Sequence, residues 1–244
     1  MEQETLSAAV TRLSVLIECR FGETHLAWAS GFVLTDGANS FLVTNRHVVT
    51  GRHQESGEVL HRQGGLPDNL QVRLFPRGPS IPLELVDGLG RLAWFEHPVG
   101  GPNYDIAGLH FQVRLNMFHL GEITRSIALG QAETVSVVGY PAGALGANDE
   151  AIWATGFLAS SIDATYAGLP VFLIDCRTCP GQSGAPVWAY RPDLVRTLDG
   201  GMITNGRPHA EFLGLYSGRI REGTDIGMVW KAATVREMCV AAVQ

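Results

Sequence analysis

Residues 179–187 read Cys179-Pro-Gly-Gln-Ser-Gly-Ala-Pro-Val187. Gly181 and Gly184 flank Ser183, and glycine permits backbone angles that other residues cannot adopt. A tight turn of this kind exposes the Ser183 hydroxyl. It also aims the backbone N–H groups of Gly181 and Ser183 at one point, where an oxygen bearing negative charge can sit. The same residues suit an ordinary Gly/Ser turn, so the turn by itself does not fix a function.

Around this turn the chain is a succession of short β-rich segments. One set comprises Glu133–Gly139, Ile152–Ser160, Val171–Cys176, Ala185–Ala189, Glu211–Ser217 and Thr224–Trp230. An earlier set comprises Leu13–Phe21, Leu26–Leu34, Ser40–Arg46, Leu70–Phe75, Ile81–Val86 and Asp105–Val113. Arg91–Glu96 reads as a seventh segment or as part of a loop. Each is rich in Val, Ile, Leu or Phe and bounded by Gly, Asp, Asn or Pro. Polar stretches at 51–69 and 191–209 read as exposed loops, the second with hairpin-turn signals at Gly200-Gly201 and Asn205-Gly206. Residues 3–14 have a helical look. In the tail from Lys231 to Val243, spacings of three and four put Val235, Met238, Cys239 and Ala242 on one helical face.

No strand–helix alternation is present, which argues against a parallel α/β sheet. Six segments, a connector near Asn116–Arg125 and six more predict an all-β fold. It consists of two six-stranded antiparallel barrels, with a short N-terminal helix and a C-terminal helix. The expected division is 1–118 for the first barrel and 119–244 for the second barrel with its closing helix.

Composition supports a large core: 244 residues, 45% hydrophobic and 17% charged. A net charge of −6 offers no electrostatic case for binding nucleic acid or an anionic membrane. No stretch approaches the ~20 apolar residues of a membrane helix. The opening Met1-Glu-Gln-Glu4 is acidic where a secretion signal is basic, and the four cysteines are few for a secreted chain of this length. The expectation is a cytoplasmic protein with reduced thiols. Cys176-Arg-Thr-Cys179 has CxxC spacing, but no second Cys/His pair completes a zinc site, and the stretch reads as strand and loop rather than a helix N-terminus. Two free thiols are the expected reading.

Two further motifs carry chemistry. Ser40-Phe-Leu-Val-Thr-Asn-Arg-His47 is a β-rich run that delivers His47 at its end. A serine hydroxyl is a poor nucleophile without a neighbouring base such as imidazole. The other seven of the eight histidines lack a comparable setting. Asn103-Tyr-Asp105-Ile-Ala-Gly-Leu-His-Phe111 sets an acid at the head of an apolar strand. A buried carboxylate there can accept the Nδ1–H of His47, although a strand-capping role fits the same pattern.

Together these residues resemble the trypsin-like, chymotrypsin-fold serine peptidases, above all their bacterial, disulfide-poor members. The order His47, Asp105, Ser183 matches. So do Ser-Gly-Phe-Val at 30–33 ahead of Thr-Asn-Arg-His at 44–47, Val-Val-Gly-Tyr-Pro at 137–141 and Gly-Leu-Tyr-Ser-Gly at 214–218. The resemblance implies a cleft between two barrels, with His47, Asp105 and Ser183 as catalytic triad and the N–H groups of Gly181 and Ser183 as oxyanion hole. It implies a serine endopeptidase acting on protein or peptide through an acyl-enzyme, without cofactor or metal. The competing reading is a catalytically weak pseudopeptidase that only binds peptides. An α/β-hydrolase is excluded, because its elbow requires glycine at 185, where Ala stands.

The family's activation acid before the nucleophile is replaced by Gln182, so activity without N-terminal clipping is expected. By the same resemblance, Arg177 lies at the base of the pocket for the side chain preceding the cut. Thr178 stands beside it, Tyr216 and Ser217 form a wall, and Arg219 guards the mouth. A basic pocket favours Asp or Glu in the substrate. Tyr216 filling the pocket favours small residues instead.

Overall fold

The computed structural model describes residues 5–37, 39–74, 78–112, 118–204 and 206–243. Helix α1 (Leu6–Leu13) is capped by Thr5, whose hydroxyl accepts the N–H of Ala8 at 3.3 Å. The first half then forms β1 (Ser14–Phe21), β2 (Thr24–Asp36), β3 (Asn39–Thr44), the one-turn helix α2 (Arg46–Thr50), β4 (Asn69–Arg73), β5 (Ser80–Glu84), β6 (Trp94–Glu96) and β7 (Ala107–His110). These strands hydrogen-bond in the order β5-β4-β1-β2-β3-β7-β6, and every pair is antiparallel. A bridge between Val86 and Leu92, and the Ala93 N–H donating to the Leu85 carbonyl at 3.0 Å, draw the two ends of the sheet towards each other, but the strand ladder itself stays open, a half-barrel where a closed barrel was expected.

The path holds seven strands where six were expected. Arg91–Glu96 is the difference, because Trp94–Glu96 pairs with Ala107–Leu109. Phe95 then packs edge-on against Phe41, ring centres 5.7 Å apart. β5 sits at the end of the path and tolerates Pro82, since an edge position leaves one backbone donor unneeded. Phe75 and Val113, placed at segment ends by the sequence, lie outside the described residues, as does Asn116 at the start of the expected connector. β8 (Phe118–His119) runs parallel to Leu34–Thr35 of β2, so residues on both sides of position 118 join the first sheet.

The second half contains β9 (Thr134–Gly139), β10 (Ile152–Leu158), β11 (Val171–Asp175), β12 (Pro186–Arg191), the small hairpin β13 (Val195–Arg196) and β14 (Met202–Ile203), β15 (His209–Arg219), β16 (Ile226–Lys231) and α3 (Ala232–Ala241). Six of these strands close a barrel in the order β10-β11-β16-β15-β12-β9. The polar 191–209 stretch, expected to be a loop, carries the β13–β14 hairpin. No helix among the described residues is long and apolar enough to cross a membrane.

Strand alternation explains the near-continuous apolar runs. Val33 on β2 faces a first-barrel core with Val15, Ile17, Leu42, Leu70 and Val72. Val187 and Ala189 on β12 face a second-barrel core with Val137, Phe172 and Val229. Their neighbours Phe32, Leu34 and Trp188 point the other way, into a third cluster with Val138 and Phe212, which α1 and α3 complete through Val10, Val235 and Met238. Strands buried on both faces do not show a polar–apolar alternation. Each large side chain placed there contributes about 1.5–3 kcal/mol. The third cluster joins the two halves, and the functional cleft opens along the same junction.

Candidate active site

α2 carries His47 in its first turn, three residues beyond the end of β3. The sequence predicted a strand reaching to 46; the chain instead turns helical at Arg46 and ends at Gly51, which takes a left-handed φ of 65°. Asn45 does not cap α2. Its Nδ2 donates to the backbone carbonyl of Asp105 at 2.7 Å, stapling the His47 segment to the Asp105 segment. Asp105 stands just ahead of β7, after a short turn at Gly101–Asn103, and is 2% exposed.

The carboxylate of Asp105 is held on both oxygens. Oδ1 accepts the backbone N–H of His47 at 2.8 Å. Oδ2 lies 2.7 Å from His47 Nδ1 and also accepts the Ser217 hydroxyl at 2.5 Å. An ionised carboxylate accepts only, so Nδ1 carries the hydrogen and Nε2 keeps its lone pair. Burial pushes the His47 pKa down, but the charge of Asp105 and its hydrogen bond outweigh it, leaving the imidazole above its ordinary value.

Ser183 comes from the turn between β11 and β12. Among the described residues, its side chain makes no hydrogen bond. It lines the same cleft as His47 and Asp105, a space of about 1500 Å³. The turn is tied down through its carbonyls. The Pro180 carbonyl accepts from Ala142 N at 2.6 Å, and the Gln182 carbonyl from Ala185 N at 3.0 Å. The Ser183 carbonyl accepts from Ser30 N at 2.8 Å, and the Gly181 carbonyl from the Ser30 hydroxyl at 2.8 Å. A planar trans peptide points its N–H opposite to its carbonyl. The N–H groups of Gly181 and Ser183 therefore point away from these anchors, and neither donates to a partner among the described residues. Gly181 (φ 96°) and Gly184 (φ 85°) supply the left-handed angles that the turn requires. Such a pair of free donors can donate to a negatively charged oxygen.

The pocket residues divide. Arg177, expected at the pocket base, is exposed and does not line the cleft. Its neighbours Cys176 and Thr178 are buried, and alternation along the extended chain turns the side chain between them outward. Thr178 is buried, with its hydroxyl 2.5 Å from that of Tyr216. Tyr216 is 3% exposed, with its ring edge so close to Gly227 that a Cβ there would stand 2.6 Å from it. Arg219 lines the cleft, but its guanidinium donates to the Thr178 carbonyl and lies 3.5 Å from Asp225. Ser217, expected as a pocket wall, lines the cleft and spends its hydroxyl on Asp105.

Sequence reasoning missed the roles of Asn45, Ser217, Ser30 and Ala142. Asn45 and Ser30 stand inside quoted motifs, while nothing local marks Ala142. Among the described residues, no group of three or more His, Cys, Asp or Glu side chains is placed to hold a metal ion.

Comparison with known proteins agrees with this architecture. Rv3671c protease of M. tuberculosis in its active form is 18% identical, with a TM-score of 0.56 over 96% of this chain and 82% of that one. An inactive form of the same protease gives 0.53 over 96% and 90%. A serine endoprotease of Yersinia pestis is 16% identical, with a TM-score of 0.56 over 99% of this chain and 68% of that one. At such identities the likeness concerns the fold alone. No curated protein matches the chain. The sequence model of the trypsin-like peptidase domain matches residues 29–195, a span that includes His47, Asp105 and Ser183. The chain therefore belongs to the trypsin-like peptidase family.

Proposed function

We propose that the protein is a serine endopeptidase in which Ser183 is the nucleophile, His47 the base and Asp105 its orienting acid. The observation that carries this reading is the 2.7 Å contact of His47 Nδ1 with Asp105 at the edge of a cleft that Ser183 also lines. His47 Nε2 takes the proton as Ser183 Oγ attacks a peptide carbonyl. The carbonyl oxygen, now negative, accepts the N–H groups of Gly181 and Ser183. His47 returns its proton to the leaving amine, and water then hydrolyses the acyl-enzyme by the same exchange in reverse.

Gln182 supports activity without cleavage. Its side chain is 1% exposed and closes on its own turn, with Oε1 accepting the Cys179 N–H at 2.8 Å. Tyr216 supports a substrate with a small side chain before the cut, because its hydroxyl closes onto that of Thr178, both are buried and absent from the cleft lining, and Arg177 faces solvent.

The test is fluorophosphonate labelling with intact-mass analysis, run beside cleavage of a peptide library. The uncut chain should label once, on Ser183, and should favour Ala, Gly or Ser before the cut. Ser183→Ala should neither label nor cleave. A folded protein that binds peptides yet never labels would be a peptide-binding protein without chemistry. A profile dominated by Asp and Glu would return the pocket to Arg219.

A further inference from the structure

Ser30 belongs to β2 of the first barrel, yet three of its four polar groups are spent on the second. It is fully buried. Its hydroxyl donates to the Gly181 carbonyl at 2.8 Å and accepts the Tyr140 N–H at 2.9 Å. Its N–H donates to the Ser183 carbonyl at 2.8 Å. The Ser30 carbonyl accepts the Thr44 hydroxyl, also at 2.8 Å, which fixes Ser30 against β3. A hydroxyl has one hydrogen and two lone pairs, so one residue can bind a carbonyl and an N–H at once. Alanine at 30 would leave both partners without it.

Gly181 is where this matters. The peptide that carries its N–H is pinned by the Ala142 N–H on the Pro180 carbonyl, and the peptide after it by the Ser30 hydroxyl on the Gly181 carbonyl and by the Gln182 N–H on the Cys179 carbonyl at 3.2 Å. Between them stands a residue without Cβ, free to rotate in either direction. With one pin gone, the Gly181 carbonyl must seek another donor. The Tyr140 N–H loses its acceptor as well, two residues before Ala142, whose N–H holds the Pro180 carbonyl; that peptide, which carries the Gly181 N–H, is then free to turn, and the N–H leaves the cleft.

We infer that Ser30 is a positioning residue: a hydroxyl from the first barrel that holds the Gly181 peptides so that the Gly181 N–H stays available to the oxyanion. This rests on the triad reading above. It ties catalytic competence to the docking of the two barrels, because the pin and the peptide it holds lie 151 residues apart.

The experiment compares wild type, Ser30→Ala, Ser30→Cys and Ser183→Ala on one peptide substrate, with a peptide aldehyde as inhibitor. The hemiacetal oxygen of the aldehyde occupies the oxyanion position. Loss of one oxyanion donor costs about 10²–10³ in kcat, and a donor that is displaced for only part of the time costs less than that. Ser30→Ala should therefore lose about 10- to 100-fold in kcat, with KM within about threefold and aldehyde binding weakened in step with kcat/KM. The pH midpoint set by His47 should not move, since Ser30 touches neither His47 nor Asp105. Ser30→Cys, which keeps the shape and a weak donor, should fall between. If Ser30→Ala is recovered unfolded, Ser30→Cys carries the same comparisons.

A folded Ser30→Ala with near-normal kcat overturns the inference. So does a loss that tracks only the fraction of titratable active sites, with each remaining site turning over normally. Turnover by Ser183→Ala would instead overturn the triad reading itself.

Discussion

Asp105 receives three hydrogen bonds on its carboxylate from two residues in different barrels, the backbone and ring of His47 and the hydroxyl of Ser217. An acid held this way fixes the imidazole tautomer and stabilises the imidazolium formed when His47 takes a proton. Asp105→Asn should keep the fold, because the carboxamide is nearly isosteric, but lose about 10⁴ in kcat by presenting the wrong tautomer. The pH profile gives a second measure. His47 has a pKa raised above its ordinary value of about 6.5. As a base it must be neutral, so kcat/KM should climb with pH through a midpoint above about 6.5. Asp105→Asn removes the attraction and should bring the residual activity's midpoint down. Stability runs the other way. The protonated pair contributes fully below the unfolded pKa, and that contribution disappears as pH rises through the higher folded value. A stopped assay across pH together with thermal melts at each pH checks both signs. At this scale the sequence was legible as residue types: a histidine, an acid and a serine between glycines. It did not show that Ser217 would serve the acid, because their contact spans 112 positions.

The nucleophile turn between β11 and β12 shows how an element can be exact in backbone and blocked in space. Gly184 and Gly200 share the same φ of 85°, but their surroundings differ. A Cβ on Gly184 would stand 2.1 Å from the Ser30 carbonyl oxygen and 2.3 Å from the Thr44 hydroxyl, whereas one on Gly200 meets nothing. Gly200→Ala should therefore cost only the left-handed strain of an L residue, about 1 kcal/mol. Gly184→Ala adds a clash with backbone and should cost about 3 kcal/mol or more. Denaturant melts of the two variants separate strain from crowding, and equal losses would show that Gly184 is not crowded. Element boundaries follow the same division between local and spatial causes. Most strands were legible within a few residues from apolar content and turn signals. The helical turn at His47 was not, because Arg46-His-Val-Val carries β-favouring residues and is held by Asn45 reaching across to Asp105. β6 was ambiguous for a similar reason, since three residues become a strand only when β7 offers them an edge.

Across the whole molecule, three apolar clusters share the work, one inside each barrel and one between them. The thiols report on this packing. All four cysteines are free. Cys19, Cys176 and Cys239 are buried, and burial pushes their pKa values to about 12, about 11 and about 12. Cys179 alone is exposed. A thiol reagent at neutral pH should therefore modify one cysteine in the folded chain and all four in denaturant, because the thiolate is the reacting form and needs access. Rapid reaction of two or more in the native protein would mean that a barrel opens easily.

What the sequence determined by itself was local: the alternation and apolar runs that make strands, the glycines that permit a sharp turn, and a histidine, an acid and a serine in order along an all-β chain. These follow from short-range sterics and from the period of a strand, and both are written in neighbouring residues. The tertiary structure alone decided that Arg177 faces solvent while Tyr216 reaches Thr178, that Ser217 braces Asp105, and that Ser30 holds Gly181. A side chain's direction depends on which residue from a distant strand packs beside it. A hydroxyl is equally able to face water or a buried carbonyl, so its partner is chosen only when the two barrels close on each other.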